Sequence, residues 1–130
     1  MYQKTTRHIS VHVEPRYLEH QSNPDDGKYV WSYTITLRNL GQETIKLLTR
    51  HWIITDGLGR MQEVRGDGVV GEQPVLPPGT AFQYTSGCPL ATPSGVMQGS
   101  YGMITDQDEP FDVAIPAFSL DSPHDKHSVN

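Results

Sequence analysis

With 130 residues and a formal net charge of −5, the chain is sized for one domain and can bury roughly two-thirds of its unfolded surface without metals or cross-links. A single cysteine, Cys88, excludes an internal disulfide. The absence of a signal-like apolar run, or of ~20 apolar residues to span a bilayer, points to a cytoplasmic protein with no membrane segment. The ten Lys and Arg residues are scattered along the chain, so nucleic acid is not an expected partner.

In chain order, Ile9, Val11 and Val13 alternate with polar neighbours, and Tyr29, Trp31, Tyr33, Ile35 and Leu37 alternate with Val30, Ser32, Thr34, Thr36 and Arg38. This period of two predicts strands with one apolar face. TIKLLTRHWIITD follows, then RMQEV, AFQYTSG, VMQGSYGMIT and PFDVAIPAF, where Phe111, Val113 and Ile115 share a face. Turn signals separate these runs: Asn23-Pro24-Asp25-Asp26-Gly27, Asn39-Leu40-Gly41, Asp56-Gly57-Leu58-Gly59, Pro77-Pro78-Gly79 and Thr92-Pro93-Ser94-Gly95. No stretch longer than a turn or two carries a helical period. Many short strands joined by turns predict an all-β sandwich or barrel. One domain is expected over 1–120, with a polar tail at 121–130 expected to be disordered.

Gly66-Asp67-Gly68-Val69-Val70-Gly71 spells GxGxxG, the pattern of a dinucleotide-binding turn. That turn needs a following helix whose N-terminus faces the pyrophosphate, and an acid about 20 residues on for the ribose. Here Pro74, Pro77 and Pro78 oppose a helix, and no Asp or Glu occurs between Glu72 and Asp106. The expected role of the glycines is backbone geometry: a turn at Asp67-Gly68, with Gly66 and Gly71 taking unusual angles. The alternative is an anion-binding nest of backbone amides formed by Arg65, Gly66, Gly68 and Gly71. Asp67 and Glu72 would oppose an anion there.

WSYTITLRNLG, LLTRHWIITDGLG, RGDGVVGEQPVLPPG, YTSGCPL, GVMQGSYGM and FDVAIPAFSL together resemble the bacterial ApaG family from about Thr5 to Leu120. The resemblance implies an immunoglobulin- or fibronectin type III-like β-sandwich, expected here with seven or eight strands. It also implies a non-enzymatic role in protein–protein binding, as in related domains fused to eukaryotic F-box and polymerase-interacting proteins. It carries an association with cobalt and magnesium resistance, which would be indirect in a chain without a membrane span. It supplies no catalytic residues and no cofactor. The alternative function is binding of an anion, pyrophosphate or nucleotide through the 65–72 segment, with metal-dependent phosphate chemistry.

Other side chains offer little chemistry. His8 and His12 on one strand would lie ~13 Å apart, too far to share an ion whose ligands sit at ~2 Å. His124 and His127, with Asp121 and Asp125, offer only a weak site in a solvated tail, and no metal is expected. Asp106, Asp108 and Glu109 read as a solvated acidic turn. Cys88 reads as a small buried thiol. Trp31 and Trp52 are expected in the core. Arg50, in mid-strand, is expected to face solvent or pair with an acid.

Overall fold

The computed structural model describes residues 2–125. The alternating runs become strands because each can bury one face and solvate the other. In order they are β1 Tyr2–Thr6, β2 Ile9–Tyr17, β3 Tyr29–Asn39, β4 Ile45–Asp56, β5 Met61–Asp67, β6 Val75–Leu76, β7 Ala81–Leu90, β8 Gly95–Thr105 and β9 Pro110–Leu120. Among the described residues, helix is limited to two single 3-10 turns, Glu19–Gln21 and Pro24–Asp26. One sheet has the order β1-β2-β3-β7. The other runs β5-β4-β8-β9, with β6 added on β4. Every pairing is antiparallel.

This is the sandwich expected from the sequence, with nine strands among the described residues rather than seven or eight. The additions are β1 and the two-residue β6. The first went unseen because Tyr2–Thr6 has no apolar alternation. The turn into β2 also lacks Gly and Pro: Arg7 and His8 themselves take positive φ, 45° and 69°. His8, expected to continue the strand, is a turn residue.

The core is the paired inner faces. Ile9, Val11 and Val13 join Trp31, Tyr33, Ile35 and Leu37 on one side, facing Leu47, Trp52, Met97, Tyr101, Met103, Val113 and Phe118 on the other. Both tryptophans are buried, as expected. Two register shifts interrupt the alternation. One between Leu47 and Thr49 makes Leu47, then Arg50 and Trp52, face inward. The other, opposite Met97 and Gly99, passes the inner face of β9 from Val113 and Ile115 to Phe118 and Leu120. A bulge changes which parity points inward, so no strict period of two survives it.

Asp121–Asp125, the first half of the tail expected to be disordered, lies against this sandwich. Trp31 Nε1 donates to the Asp121 carbonyl at 2.8 Å, Ser122 Oγ donates to the Pro93 carbonyl at 2.6 Å, and the His124 ring packs against Tyr17 and Tyr29. The second half of that expectation, including His127, lies outside the described residues.

Candidate functional site at the open side of the sandwich

The two sheets meet differently at their two sides. At one, β1 packs onto β9: the Tyr2 hydroxyl and Ser119 Oγ are hydrogen-bonded at 2.8 Å, the Tyr2 and Phe118 rings lie 5.9 Å apart, and the Ala114 amide approaches Thr6 Oγ1 at 3.4 Å. At the turns above this side, Arg7 binds Glu109 at 3.1 Å and stacks over Phe111 at 4.6 Å. The acidic turn at 106–109 is thus partly neutralised from the N-terminal hairpin.

The opposite side stays open. It is bounded by β7 and β5, each the last strand of its sheet. Between them runs a groove of about 300 Å³. Its floor is the core itself: Tyr33 and Trp52, in edge contact at 5.3 Å, with Cys88 and Met97. Ile54 and Val64 form a half-buried apolar wall. Burial pushes the Cys88 thiol up to about 11, so it is a protonated apolar surface here, as the sequence suggested, rather than a nucleophile. Burial also raises the Tyr33 hydroxyl.

One end of the groove carries Arg50. The register shift in β4 turns this residue inward, on the same face as Trp52. It neither points to open solvent nor pairs with an acid, the two outcomes expected of it. Its NH1 donates to the carbonyls of Asp67 at 2.9 Å and Gly68 at 3.0 Å. Among the described residues no carboxylate forms an ion pair with it.

Arg50 also explains the first glycine of the GxGxxG run. Gly66 lies inside β5, opposite Arg50, without a positive φ. A Cβ there would sit 2.7 Å from the guanidinium carbon. Its role is close approach, not the unusual angle expected of it. Gly68 has φ +63°, and its Cβ would meet the Glu72 carbonyl oxygen at 2.2 Å. Val69 and Glu72 exchange both backbone hydrogen bonds, which closes a two-residue turn with φ of 44° at Val70 and 80° at Gly71. Two positive φ values in succession define the type I′ geometry. A β-branched residue is strained in that position. The segment is therefore not simply a surface loop. Gly66 and Asp67 belong to a strand, and the turn presses Val69 fully into the core, at 0% exposure.

The four residues considered for an anion nest point different ways. Arg65 is on the outer sheet face, bound to Glu63 at 3.0 Å, and Glu63 also contacts His51 Nε2 at 2.5 Å. The His51 hydrogen bond, and the Arg65 guanidinium after it, hold the Glu63 carboxyl below the usual carboxylate range. The Gly68 amide donates to the Leu48 carbonyl at 2.8 Å, while the Val69 and Glu72 amides serve the turn. Among the described residues, no group of three or more His, Cys, Asp and Glu could hold a metal ion.

The alternation pattern singles out Tyr33 on the groove floor, but not the residues that line its outer side. Arg50 becomes part of the groove through a bulge, and Gln62 and Val64 through the strand order. The visible trace in the sequence is the break of alternation at Leu47-Leu48-Thr49-Arg50.

Fold and groove define a β-sandwich domain with one sealed and one accessible flank. A sequence model of the ApaG domain matches residues 19–105, and the chain belongs to the ApaG family. It is 60% identical to Protein ApaG of Rhodospirillum centenum and 58% identical to Protein ApaG of Paramagnetospirillum magneticum, each over the full length of both chains. A crystal structure of a Bordetella pertussis protein described as ApaA superposes with a TM-score of 0.87 at 50% identity, covering 90% of this chain and 95% of that one.

Proposed function

We propose that this protein is a non-enzymatic binding module that acts in the cytoplasm and receives a protein partner along its open side. The observation that carries this reading is the asymmetry of the sandwich. One flank is sealed by β1 on β9, while β5 and β7 leave unpaired backbone edges beside a groove floored by aromatic side chains. Edge strands are sites where another chain adds by main-chain hydrogen bonds, with alternate side chains entering pockets. The lone, buried Cys88 suits a reducing compartment. No helix among the described residues is long and apolar enough to cross a membrane. A contribution to cobalt or magnesium resistance would accordingly pass through the partner.

Binding of pyrophosphate or a nucleotide at 65–72 has less support, because the Gly68, Val69 and Glu72 amides already serve protein carbonyls. Site-specific photo-crosslinking separates the two. A benzophenone side chain at Gln62, beside the groove, should yield a discrete protein adduct that excess unlabelled protein competes away. The same probe at Lys4 on β1 should yield none. Equal labelling at both positions, or saturable binding of pyrophosphate that protects Gly68 and Gly71 in amide exchange, would reject the proposal.

A further inference from the structure

We infer that the groove between β5 and β7 binds the C-terminal residue of a partner polypeptide, taking its apolar side chain over Trp52 and its carboxylate on Arg50. This rests on the edge-docking reading above and names what is recognised there. Three features lead to it.

The first is charge. A guanidinium carries five donors, and Arg50 engages only NH1, on two neutral carbonyls. The cation stands half-buried, on the inner face of the sheet, at the head of an apolar groove. Burial without a counter-charge is costly, and a planar carboxylate is the partner whose geometry matches the fork. The nearby acids do not supply one. Glu63 is turned to the outer face and engaged by His51 and Arg65, and Asp67 offers Arg50 its carbonyl rather than its side chain.

The second is shape. From Arg50 through Trp52 to Ile54 is four strand steps, ~13 Å. The floor of aromatic and sulfur-bearing side chains takes an apolar group without demanding hydrogen bonds. A space of about 300 Å³ is at the low end for small-ligand sites. It suits one apolar side chain with its own α-carboxylate, where the two are only a few bonds apart.

The third is the edge. Short of Asp67, whose carbonyl Arg50 holds, the outer backbone groups of β5 are unpaired at the lip of the groove, so an extended terminal segment can hydrogen-bond along 61–65 as its last side chain turns in. On this side of the molecule a small cavity, a fixed cation and a free strand edge lie together.

The test uses N-acetyl-leucine and its neutral counterpart N-acetyl-leucinamide as probes, with amide and indole resonances of the full chain as readout. The acid should shift the Trp52 indole signal and the amides of Val64 and Ser86. It should bind about tenfold more tightly than the amide, the effect of one charge-assisted contact. The preference should shrink as salt is added. In Arg50→Gln the two probes should bind equally. Arg50 also holds the Asp67 and Gly68 carbonyls, so Val64→Phe is a second variant that leaves the cation in place. It should fill the groove and abolish the Trp52 shift while the fold is retained. Equal binding of acid and amide to the unmodified protein, or acid-induced shifts confined to 68–72, would overturn the inference. A discrete partner adduct at Gln62 alongside equal probe binding would leave edge docking standing and remove only the terminal-carboxylate anchor. Acid preference without any partner adduct would do the reverse.

Discussion

The sealed and open flanks of this sandwich are built from the same materials and solve opposite problems. At the sealed flank, β1 and β9 bring Tyr2, Phe118 and Ser119 together, so apolar burial and a hydroxyl pair close the gap between the sheets. At the open flank, β5 and β7 stand apart, and the space between them holds half-buried Val64 and Ile54 with an inward arginine at one end. The first arrangement spends its side chains on the protein itself. The second leaves apolar wall, backbone edge and positive charge incompletely satisfied, a state that a stable fold tolerates where a ligand supplies the remainder. On the proposed reading, function is carried by how the sheets part, rather than by any cluster of reactive groups.

That contrast can be broken most severely at the sealed flank. Phe118→Ala removes a fully buried ring in contact with Tyr2, Tyr33 and Trp52. It should cost about 3–5 kcal/mol in urea unfolding; a loss below 1 kcal/mol would mean that the flank is not closed as described. The turn beneath the open flank comes next. Gly68→Ala should cost about 2–4 kcal/mol, because it combines a left-handed φ with a backbone collision that no side-chain motion relieves. A variant that melts like the parent but fails to bind pyrophosphate would instead make that glycine a ligand contact.

Gly66→Ala should be milder, about 1 kcal/mol, since the obstructing group is the flexible end of Arg50, which can swing away and give up its two carbonyl contacts. Its sharper readout is on the groove: with the guanidinium displaced, acid-over-amide preference should fall although the fold remains.

The smallest effect concerns acid. The Glu63 carboxyl is held low by His51 and then by Arg65, and that of Glu109 by Arg7. A carboxylate whose folded value is depressed contributes stability that is present above its unfolded value of about 4.3 and lost as pH falls through the folded value. Glu63→Gln and Glu109→Gln should therefore each reduce the dependence of stability on pH below about 4, most visibly at low salt. Carbonyl chemical shifts of Glu63 and Glu109 should titrate below the ordinary range. A midpoint at or above it would remove the corresponding pair.

Much of the architecture was legible from periodicity. Trp31 to Leu37 alternates without interruption and lies in β3, on the inner wall of its sheet. Trp31 and Trp52 went to the core because they sat on apolar runs. The proline-rich segment after Gly71 correctly argued against a helix, and the positive φ of Gly68 and Gly71 matched their residue type. Where the pattern failed, a backbone irregularity was the reason. Arg7 and His8 turn the chain with residues that give no turn signal, which concealed β1. The bulge in β4 reversed the parity of Arg50, so a residue assigned to solvent or an acid became the charged end of the groove.

The sequence by itself determined the class of fold, the depth of the tryptophans and the absence of a dinucleotide-binding helix. These depend on hydrophobic period and on proline and glycine backbone preferences, which act over a few residues. Only the tertiary structure decided that β1 seals one flank, that Gly66 must be bare to admit a guanidinium from a neighbouring strand, and that Arg50, Trp52, Val64 and Ser86 share one groove. Those facts follow from strand order and register. Local chemistry does not encode them separately, because they arise from burying all the apolar faces of both sheets at once.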